Sequence, residues 1–398
     1  MIKAVLLDLD DTLLYNANAV FVSEYLRLVD EYFEQAWGYT PLSRVLLKVM
    51  HVVNTPRDLR QTNTDLAIGM IAEVTGQAQA EIRARFDEFY TSNYPVLEKC
   101  VEAVTIAPAL VEHLLETNCA VVIATNPLYP AEAIRQRLAW AGLPDDFGTY
   151  ALVTNGDNMH FAKPDPAYYA EILARIGVEP DEALMVGDDP VNDILPAATL
   201  GLNTYHIRQT ADSEPEAETG GSIEDLYARI TQQNWLETLL PAGLKPEAIE
   251  PQLRGNIGAL FGMLSEVKSH QWDQHPDPEE WSILQIVCHL LESEKTVQRP
   301  RLEKILAEDN PFLASPQPPA GPREAVRCAV DGRQAAERFV QERMLTIEWL
   351  RQLKAEDWQR PARHSIFGLT TMAEMAHFTA QHDRLHLNQL CQTLGRCE

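Results

Sequence analysis

The chain has 398 residues, 45% of them hydrophobic, and this length predicts two domains rather than one. No apolar run reaches the roughly 18–20 residues of a membrane span. The net charge is −25 at pH 7, and residues 1–240 carry 36 acidic against 15 basic side chains, which argues against nucleic acid as a partner of this part.

The histidines have the opposite distribution, because seven of the eleven lie after residue 250. Two separate chemistries are therefore expected. The six cysteines form no C-x-x-C pair and most stand in apolar surroundings, so we expect reduced thiols and a cytoplasmic location. The first predicted strand begins at residue 2, which leaves no room for a signal peptide.

An apolar run at residues 2–7 predicts a buried strand that leads directly into Asp8-Leu9-Asp10-Asp11-Thr12. Alternation places Asp8 and Asp10 on the same side of an extended chain. Two carboxylates so close together repel each other and raise at least one pKa, unless a divalent cation offsets their charge. Oxygen ligands of this kind suit Mg²⁺. A polar strand end that runs into a turn is the alternative interpretation.

Residues 17–105 have a helical pattern, in which apolar side chains such as Leu46, Leu47, Met50 and Val53 recur at spacings of three and four. Breaks are predicted near 39–41 and 54–56. From residue 106 onwards helices and strands alternate, which predicts a parallel sheet with right-handed crossovers. The predicted helices are 107–117, 130–141, 166–177 and 193–200, and the predicted strands are 119–124, 150–154, 183–186 and 203–207.

Functional groups in such sheets lie beyond the carboxyl ends of the strands. Four segments place polar side chains there: Asp8 with Asp10, Thr125 with Asn126, Lys163, and Asp188 with Asp189 and Asp193. Each segment alone could be a turn. Together they supply a nucleophile, an acid or base, a hydroxyl, a cation and a metal-binding cluster.

A polar stretch at 209–222 and a helix at 223–240 end this part, and prolines mark a linker. The remainder predicts four long amphipathic helices, at 253–270, 279–307, 323–354 and 371–394, with a Pro-rich loop at 311–322. His289 falls in the second helix, and His382 and His386 lie four residues apart on one face of the fourth. Three imidazoles that converge in a bundle could hold Zn²⁺ or Ni²⁺. Solvated or core histidines are the alternative for an isolated H-x-x-x-H.

The first 235 or so residues resemble the haloacid dehalogenase superfamily. Its four motifs match Asp8-x-Asp10-x-Thr12, Thr125, Lys163 and Gly187-Asp188-Asp189-x-x-x-Asp193 in order, and the helical insertion resembles the family's α-helical cap. The resemblance implies an α/β Rossmann-like parallel sheet and a Mg²⁺-dependent phosphatase that acts on a small phosphorylated metabolite.

The resemblance also implies a role for each motif residue. Asp8 would attack phosphorus and form an aspartyl-phosphate, and Asp10 would protonate the leaving alcohol and then activate water. Mg²⁺ would be held by Asp8, Asp188 and the backbone carbonyl of Asp10, and Lys163 would add positive charge at the phosphoryl oxygens. Asp189 and Asp193 would orient Lys163 or metal-bound water, unless one of them binds the metal directly.

Two smaller roles concern the phosphate. Thr125 would hydrogen-bond a phosphoryl oxygen, helped by backbone N–H groups near Asn126, and Thr12 is a further expected substrate-binding residue. Asp10 favours a phosphatase over the dehalogenases and the carbon–phosphorus cleaving members, which lack a carboxylate there. A phosphomutase would need the same residues, so this alternative stays open.

Residues 250–396 resemble the DinB-like family through Trp281-Ser282, Cys288-His289-Leu290, Gly368-Leu-Thr-Thr371 and His382-Asp383-Arg384-Leu385-His386. The resemblance implies an all-α four-helix bundle with a three-His metal site at His289, His382 and His386. His364 and His377 do not fall on ligand positions.

Some relatives in that family transfer or rearrange thiol adducts, so a bifunctional enzyme with a thiol-linked transferase or hydrolase activity is one alternative. A metal-dependent interaction module, with a homodimer formed through the bundle, is another. The domain bounds that follow are 1–238 (core 1–16 and 106–238, cap 17–105), a linker at 239–252, and 253–398.

Overall fold

The computed structural model describes residues 1–16, 18–208, 219–315 and 331–397. Most of the predicted polar stretch at 209–222, most of the Pro-rich loop at 311–322 and the first eight residues of the predicted third long helix lie outside the described residues. The chain divides into two compact units: Met1–Tyr169 with Val178–Ala242, and Ala170–Gly177 with Gly243–Glu398.

The first unit is built on a parallel sheet with helices, as predicted. Its strands are β1 (Ala4–Leu7), β2 (Leu14–Asn16), β3 (Val101–Ala103), β4 (Ala120–Ile123), β5 (Leu152–Val153), β6 (Ala183–Gly187), β7 (Asn203–Ile207) and β8 (Gly220–Gly221). Six of them form one sheet in the order β5-β4-β1-β6-β7-β8, and every pairing in it is parallel. The crossovers that a parallel order requires are supplied by the intervening helices.

The helices that begin in the first unit are α1 (Asn18–Trp37), α2 (Ser43–Val52), α3 (Asn63–Thr75), α4 (Gln79–Ser92), α5 (Ala107–Leu115), α6 (Ala131–Trp140), α7 (Pro166–Ile176), α8 (Leu195–Leu200), α9 (Ile223–Gln233) and α10 (Trp235–Thr238). The helices predicted at 107–117, 130–141, 166–177 and 193–200 are present with bounds that differ by a few residues, whereas the helix predicted at 223–240 is two helices, α9 and α10, separated by Asn234, whose φ is 47°.

The register of the sheet explains where the polar residues meet. β1 lies between β4 and β6, and Leu7 pairs with Ile123 on one side and Val186 on the other. These three strands therefore end at the same level. The residues that follow them, among them Asp8, Thr125 and Asp188, emerge at one edge of the sheet.

The insertion after β1 is a helical cap formed by α1 to α4 and a 3₁₀-helix at Tyr94–Cys100. Its own core is rich in aromatic side chains, including Phe21, Phe33 and Phe89. The short strands β2 and β3, which the sequence pattern did not predict, pair antiparallel where the chain enters and leaves the cap.

The second unit contains the predicted four-helix bundle. Its helices are α11 (Ile249–Ser265), α12 (Ile283–Ser293), α13 (Arg299–Ala307), α14 (Gly332–Leu350) and α15 (Met372–Arg396). A π-helical segment, Glu294–Gln298, joins α12 to α13, so these two helices make one long element. α11 packs against α14 and α15, and α12 packs against the same two helices.

A small sheet, which the sequence pattern did not predict, accompanies the bundle. It consists of β9 (Phe312–Leu313), β10 (Pro361–His364) and β11 (Gly368–Thr371), in the order β11-β10-β9. β10 and β11 form a hairpin that leads directly into α15.

The cysteines differ in part from expectation. Cys100, Cys119, Cys391 and Cys397 are free thiols, but Cys288 is disulfide-bonded, which contradicts the prediction of reduced thiols at that position. Cys328 lies outside the described residues. No helix within the described ranges is long and apolar enough to cross a membrane.

Candidate active site and metal centre

The predicted nucleophile and the predicted cation are in direct contact. Lys163 Nζ lies 2.6 Å from Asp8 Oδ1 and 2.5 Å from Asp193 Oδ1, and all three side chains are almost completely buried. Burial alone would lower the pKa of Lys163, but the carboxylates of Asp8 and Asp193 raise it well above its ordinary value. The lysine is therefore a permanent cation between two acids.

Three carboxylates converge beside this lysine. Each of Asp8, Asp188 and Asp193 offers an oxygen, and these oxygens lie within 4.8 Å of one another. Burial, followed by the charge of Asp193 and against the opposing effect of Lys163, raises the pKa of Asp8 to about 7. Burial and the charges of Asp193 and Asp11 raise the pKa of Asp188 to about 6. One lysine does not balance three clustered carboxylates, so the donor set fits a hard divalent cation such as Mg²⁺.

The loop after β6 carries two of these carboxylates, Asp188 and Asp193, and hydrogen bonds hold its conformation. Asp189 accepts hydrogen bonds from the backbone N–H groups of Val191 (2.7 Å) and Asn192 (3.1 Å), and thus caps the following π-helical turn. Burial would raise the pKa of Asp189, but these hydrogen bonds outweigh it and lower the pKa. The imidazole Nε2 of His206 lies 2.9 Å from the carbonyl oxygen of Asp188.

Asp10 is not one of the three grouped carboxylates. Its Oδ1 forms an ion pair with Arg137 of α6 and accepts a hydrogen bond from Asn16 Nδ2 at 2.8 Å. The chain turns sharply directly after Asp10, because Asp11 has a φ of 58°, a left-handed conformation that Asp tolerates better than most residues.

Three predicted residues of this site remain. Thr12 contacts Asp8, and Thr125 and Asn126 lie in the loop after β4. Thr12 Oγ1 donates a hydrogen bond to Asp8 Oδ2 at 3.3 Å. The backbone carbonyl of Thr125 accepts hydrogen bonds from Thr154 Oγ1 (2.7 Å) and from the Tyr168 hydroxyl (2.9 Å), which fixes the loop after β4. Asn126 Oδ1 is buried and has no hydrogen-bond partner within the described part of the chain.

The cap is tied to the loops that carry these residues. Asn54, just after α2, donates to the carbonyl oxygen of Lys163 at 3.1 Å and accepts from the N–H of Ala162 at 3.2 Å. The buried amide of Asn63 donates to the carbonyl oxygens of Pro127 (3.0 Å) and Phe161 (3.1 Å). Residues 54–63, which lead from α2 into the start of α3, therefore hold the backbone on both sides of the site.

In the second unit the three predicted histidines form a cluster. His289 Nε2 lies 3.3 Å from His382 Nε2, and the nitrogens of His289, His382 and His386 all lie within 4.8 Å of one another. Burial and the neighbouring imidazoles lower the pKa of His289 to about 3 and that of His386 to about 4. Both imidazoles are thus neutral near pH 7, which is the form that binds a metal.

The other residues of the DinB-like motif support this cluster. Ser282 caps α12, which carries His289, and Thr371 caps α15, which carries the other two histidines; each cap is a reciprocal capping box. Trp281 stacks on His386 with the ring planes 10° apart. His386 Nδ1 lies 3.0 Å from Gln389 Oε1, an acceptor that fixes the tautomer and leaves Nε2 for a metal.

His364 and His377 do not belong to this group. His364 lies on β10, where its Nδ1 accepts backbone N–H groups of Ile366 (3.2 Å) and Phe367 (3.3 Å). His377 likewise is not among the three grouped histidines.

Among the described residues, Arg137 and Asn16 contact the side chain of Asp10, and the sequence pattern identified neither. One signal was present for Arg137. It falls on the apolar face of α6, three and four residues after Ile134 and Ala133, where a charged side chain is unexpected. The short strand that carries Asn16 gave no comparable signal.

The fold and the geometry define a hydrolase with a parallel α/β core, a helical cap and an acidic site. A helical domain with a histidine cluster follows it. Residues 2–201 match the model of the haloacid dehalogenase-like hydrolases, which is half of the chain, and the protein belongs to this family. Residues 252–390 match the model of the DinB superfamily. The chain is therefore a hydrolase with a DinB-like region fused after it.

Among curated proteins, the chain is similar to a phosphoglycolate phosphatase of Rhodospirillum rubrum, with 28% identity over 245 residues that span 61% of this chain and 94% of the relative. It is also similar to a phosphoserine phosphatase of Thermus thermophilus, with 31% identity over 121 residues that span 30% of this chain and 47% of the relative.

Among solved structures, a haloacid dehalogenase phosphatase of Thermococcus onnurineus aligns with 20% identity and a TM-score of 0.38, covering 58% of this chain and 98% of the other. A Bacillus subtilis protein described as a probable metal-dependent hydrolase with an unusual four-helix bundle topology aligns with 17% identity and a TM-score of 0.34, covering 38% of this chain and 86% of the other.

Proposed function

We propose that the first unit is a Mg²⁺-dependent phosphatase that hydrolyses the phosphate ester of a small metabolite through an aspartyl-phosphate on Asp8. The contact between Asp8, Lys163 and Asp193 is the observation that carries this proposal. A buried carboxylate whose charge is held by a lysine and opposed by two further acids is suited to react with an electrophile.

In the first half of the reaction Asp8 attacks phosphorus and the bond between phosphorus and the ester oxygen breaks. Lys163, already a buried cation beside Asp8, offsets the negative charge of the phosphoryl oxygens. Thr12, which donates to the second oxygen of Asp8, holds the carboxylate in one orientation. Thr125 and the N–H groups after β4 are proposed to bind a phosphoryl oxygen.

Asp10 is proposed to act as the general acid and base. Its carboxyl group gives its proton to the ester oxygen as the alcohol leaves, and then takes a proton from the water that attacks the aspartyl-phosphate. The second step breaks the bond between Asp8 and phosphorus and releases inorganic phosphate. By resemblance to the family motif, the carboxylate at position 10 distinguishes a phosphatase from a dehalogenase.

Asp8, Asp188 and the carbonyl of Asp10 are proposed to hold Mg²⁺, and the grouping of Asp193 with the first two makes it a further candidate ligand. When bound, the ion neutralises the clustered carboxylates and the phosphoryl charge. The relatives named for phosphoglycolate and phosphoserine both act on small phosphorylated acids, which supports a substrate of similar size.

The experiment is hydrolysis of a panel of small phosphate esters by the intact chain with Mg²⁺, measured as phosphate release. Asp8→Asn should abolish release, because the amide oxygen is a far weaker nucleophile, while a variant with His289, His382 and His386 all changed to Ala should keep it. Wild-type protein that turns over no ester, or an Asp8→Asn variant with full activity, would refute the proposal. Transfer of phosphate to the product alcohol instead of water would indicate a phosphomutase.

We further propose that His289, His382 and His386 hold a divalent transition metal, Zn²⁺ or Ni²⁺. The support is their convergence within 4.8 Å and the low pKa of two of them. Purified protein should retain about one equivalent of metal by elemental analysis, and each single His→Ala change should remove most of it. His270→Ala, at an exposed histidine of the same unit, is the matched control. Equal metal content in all four variants would contradict the proposal.

A further inference from the structure

Arg137 is a buried cation in a place where packing alone would favour an apolar residue. It lies on α6 between Ile134 and Leu138, and its side chain is only 2% exposed. Burying a guanidinium is costly unless it is paired with an anion. Burial lowers the pKa of Arg137 to about 9, so that it is still a cation near pH 7. The buried guanidinium of Arg137 therefore requires a nearby anion.

The anion in direct contact with Arg137 is Asp10, and the charge of Asp8 also favours its cationic form. The guanidinium is placed by two aromatic rings, since its Cζ lies 4.7 Å from the ring centre of Phe21 in the cap and 5.6 Å from that of Tyr129. From this position Nη2 pairs with Oδ1 of Asp10 and lies 3.3 Å from Asn16 Oδ1. Rings, amide and carboxylate together fix the orientation of the cation.

The contacts of Asp10 are one-sided. Arg137 and Asn16 both donate to Oδ1, and within the described residues no hydrogen bond to Oδ2 is present. The side chain of Asp10 is 30% exposed, whereas that of Arg137 is closed off. One oxygen of the carboxyl group is thus anchored, and the other is left to exchange a proton.

We propose that Arg137 is the positioning residue of Asp10. It anchors Oδ1, while Oδ2 takes up a proton from solvent before the reaction and delivers it to the ester oxygen as the bond to phosphorus breaks. This inference rests on the proposed phosphatase function. We assign Arg137 no contact with the substrate or with phosphorus. Through Asp10 it acts on the step in which the leaving alcohol is protonated and on the later step in which water is deprotonated.

This role makes a prediction that a merely structural arginine does not. An alkyl phosphate has a poor leaving group and needs the proton, whereas p-nitrophenyl phosphate has a good one and needs little help. Arg137→Met keeps an unbranched apolar stem but removes the guanidinium group that anchors Asp10. We expect kcat/KM to fall roughly 10-fold to 100-fold for an alkyl ester and less than about 3-fold for p-nitrophenyl phosphate, since general acid catalysis typically contributes 10²–10⁴.

Arg135→Met is the matched control. Arg135 lies on the same helix, is exposed and packs on Phe147, so that its removal makes the same change in net charge away from Asp10. This variant should hydrolyse both esters like wild type. Arg137→Lys, which keeps a cation but loses the planar fork, should recover part of the alkyl-ester rate. Added guanidinium ion should recover part of it in Arg137→Ala.

An equal loss on both esters in Arg137→Met or Arg137→Lys, or no loss in Arg137→Met, with a wild-type unfolding transition would overturn the inference and leave the phosphatase intact. If Arg137→Met does not fold, the ratio of the two esters in Arg137→Lys decides in the same way. A wild-type protein that hydrolyses neither ester would remove the proposed function, and the role of Arg137 with it.

Discussion

At Gly187 the backbone and the carboxylate of Asp193 are in such close contact that a Cβ atom would overlap the carboxylate oxygen. Gly187 is the last residue of β6, directly before Asp188, so the glycine lets the acidic loop fold back onto the strand. The loop in turn brings Asp193 to Lys163. The contact with Asp193 thus explains why the predicted motif has glycine at position 187, which the sequence alone does not.

Gly187→Ala is therefore expected to displace Asp193 and to weaken its ion pair with Lys163. The cost should be about 1–3 kcal/mol of the free energy of unfolding, as for other overpacked sites, together with a loss of phosphatase activity. Gly69→Ala is the control: Gly69 lies inside α3 and a Cβ atom there meets nothing within 4 Å. That change should leave activity unaltered and be neutral or stabilising by up to about 1 kcal/mol. Chemical denaturation and phosphate release measure both, and a wild-type unfolding curve for Gly187→Ala would count against the argument.

Elements with a strong period could be predicted from the sequence, and their details could not. Most strands and helices predicted after residue 106 are confirmed because they have an apolar run or a clear helical repeat. In the cap, α2 is present, but the predicted apolar residues Leu47 and Met50 are 47% and 48% exposed, while Val45 and Val49 are buried. A ten-residue helix with apolar residues around most of its circumference has no unique face, so its neighbours in the cap decide which side is buried.

Short elements escaped prediction for a related reason. β2, β3 and the strands of the small sheet have two to four residues, too few for an alternating pattern to be recognised. β2 matters because it carries Asn16, a partner of Asp10. Arg137 was missed because its partner is 127 positions away in the sequence. The motif residues were predicted by resemblance, whereas the side chains that orient them depend on the tertiary structure.

Over the whole chain, the uneven charge corresponds to two different donor sets. The acidic part holds a carboxylate group of three, and the part rich in histidine holds an imidazole group of three. The first donor set suits a hard cation and the second a borderline transition metal. The predicted linker at 239–252 stays a prediction; the division between the units falls after Ala242, with residues 170–177 assigned to the second unit.

The carboxylate group also makes global stability depend on pH and metal together. Without metal, the pKa values of Asp8 (about 7) and Asp188 (about 6) lie above their ordinary value of 3.8. The folded state then binds more protons than the unfolded state, so the contribution of these groups to the free energy of unfolding is present below about pH 4 and is lost as the pH rises through 6 and 7. A metal ion competes with the same protons, and its affinity for the folded state rises over this window.

We therefore expect Mg²⁺ to raise the Tm of metal-free protein more at about pH 8 than at about pH 5.5. At the higher pH the free energy of unfolding should increase by up to about 2.7 kcal/mol when Mg²⁺ is about 100 times its Kd. Asp188→Asn should remove most of the shift at the higher pH, because it removes one ligand and one charge from the group. The variant lacking His289, His382 and His386 should keep it, since these histidines belong to the other donor set. Differential scanning calorimetry with and without Mg²⁺ at the two pH values provides the measurement. A shift that is equal at both pH values, or that persists in Asp188→Asn, would show that Mg²⁺ stabilises the protein from a different site.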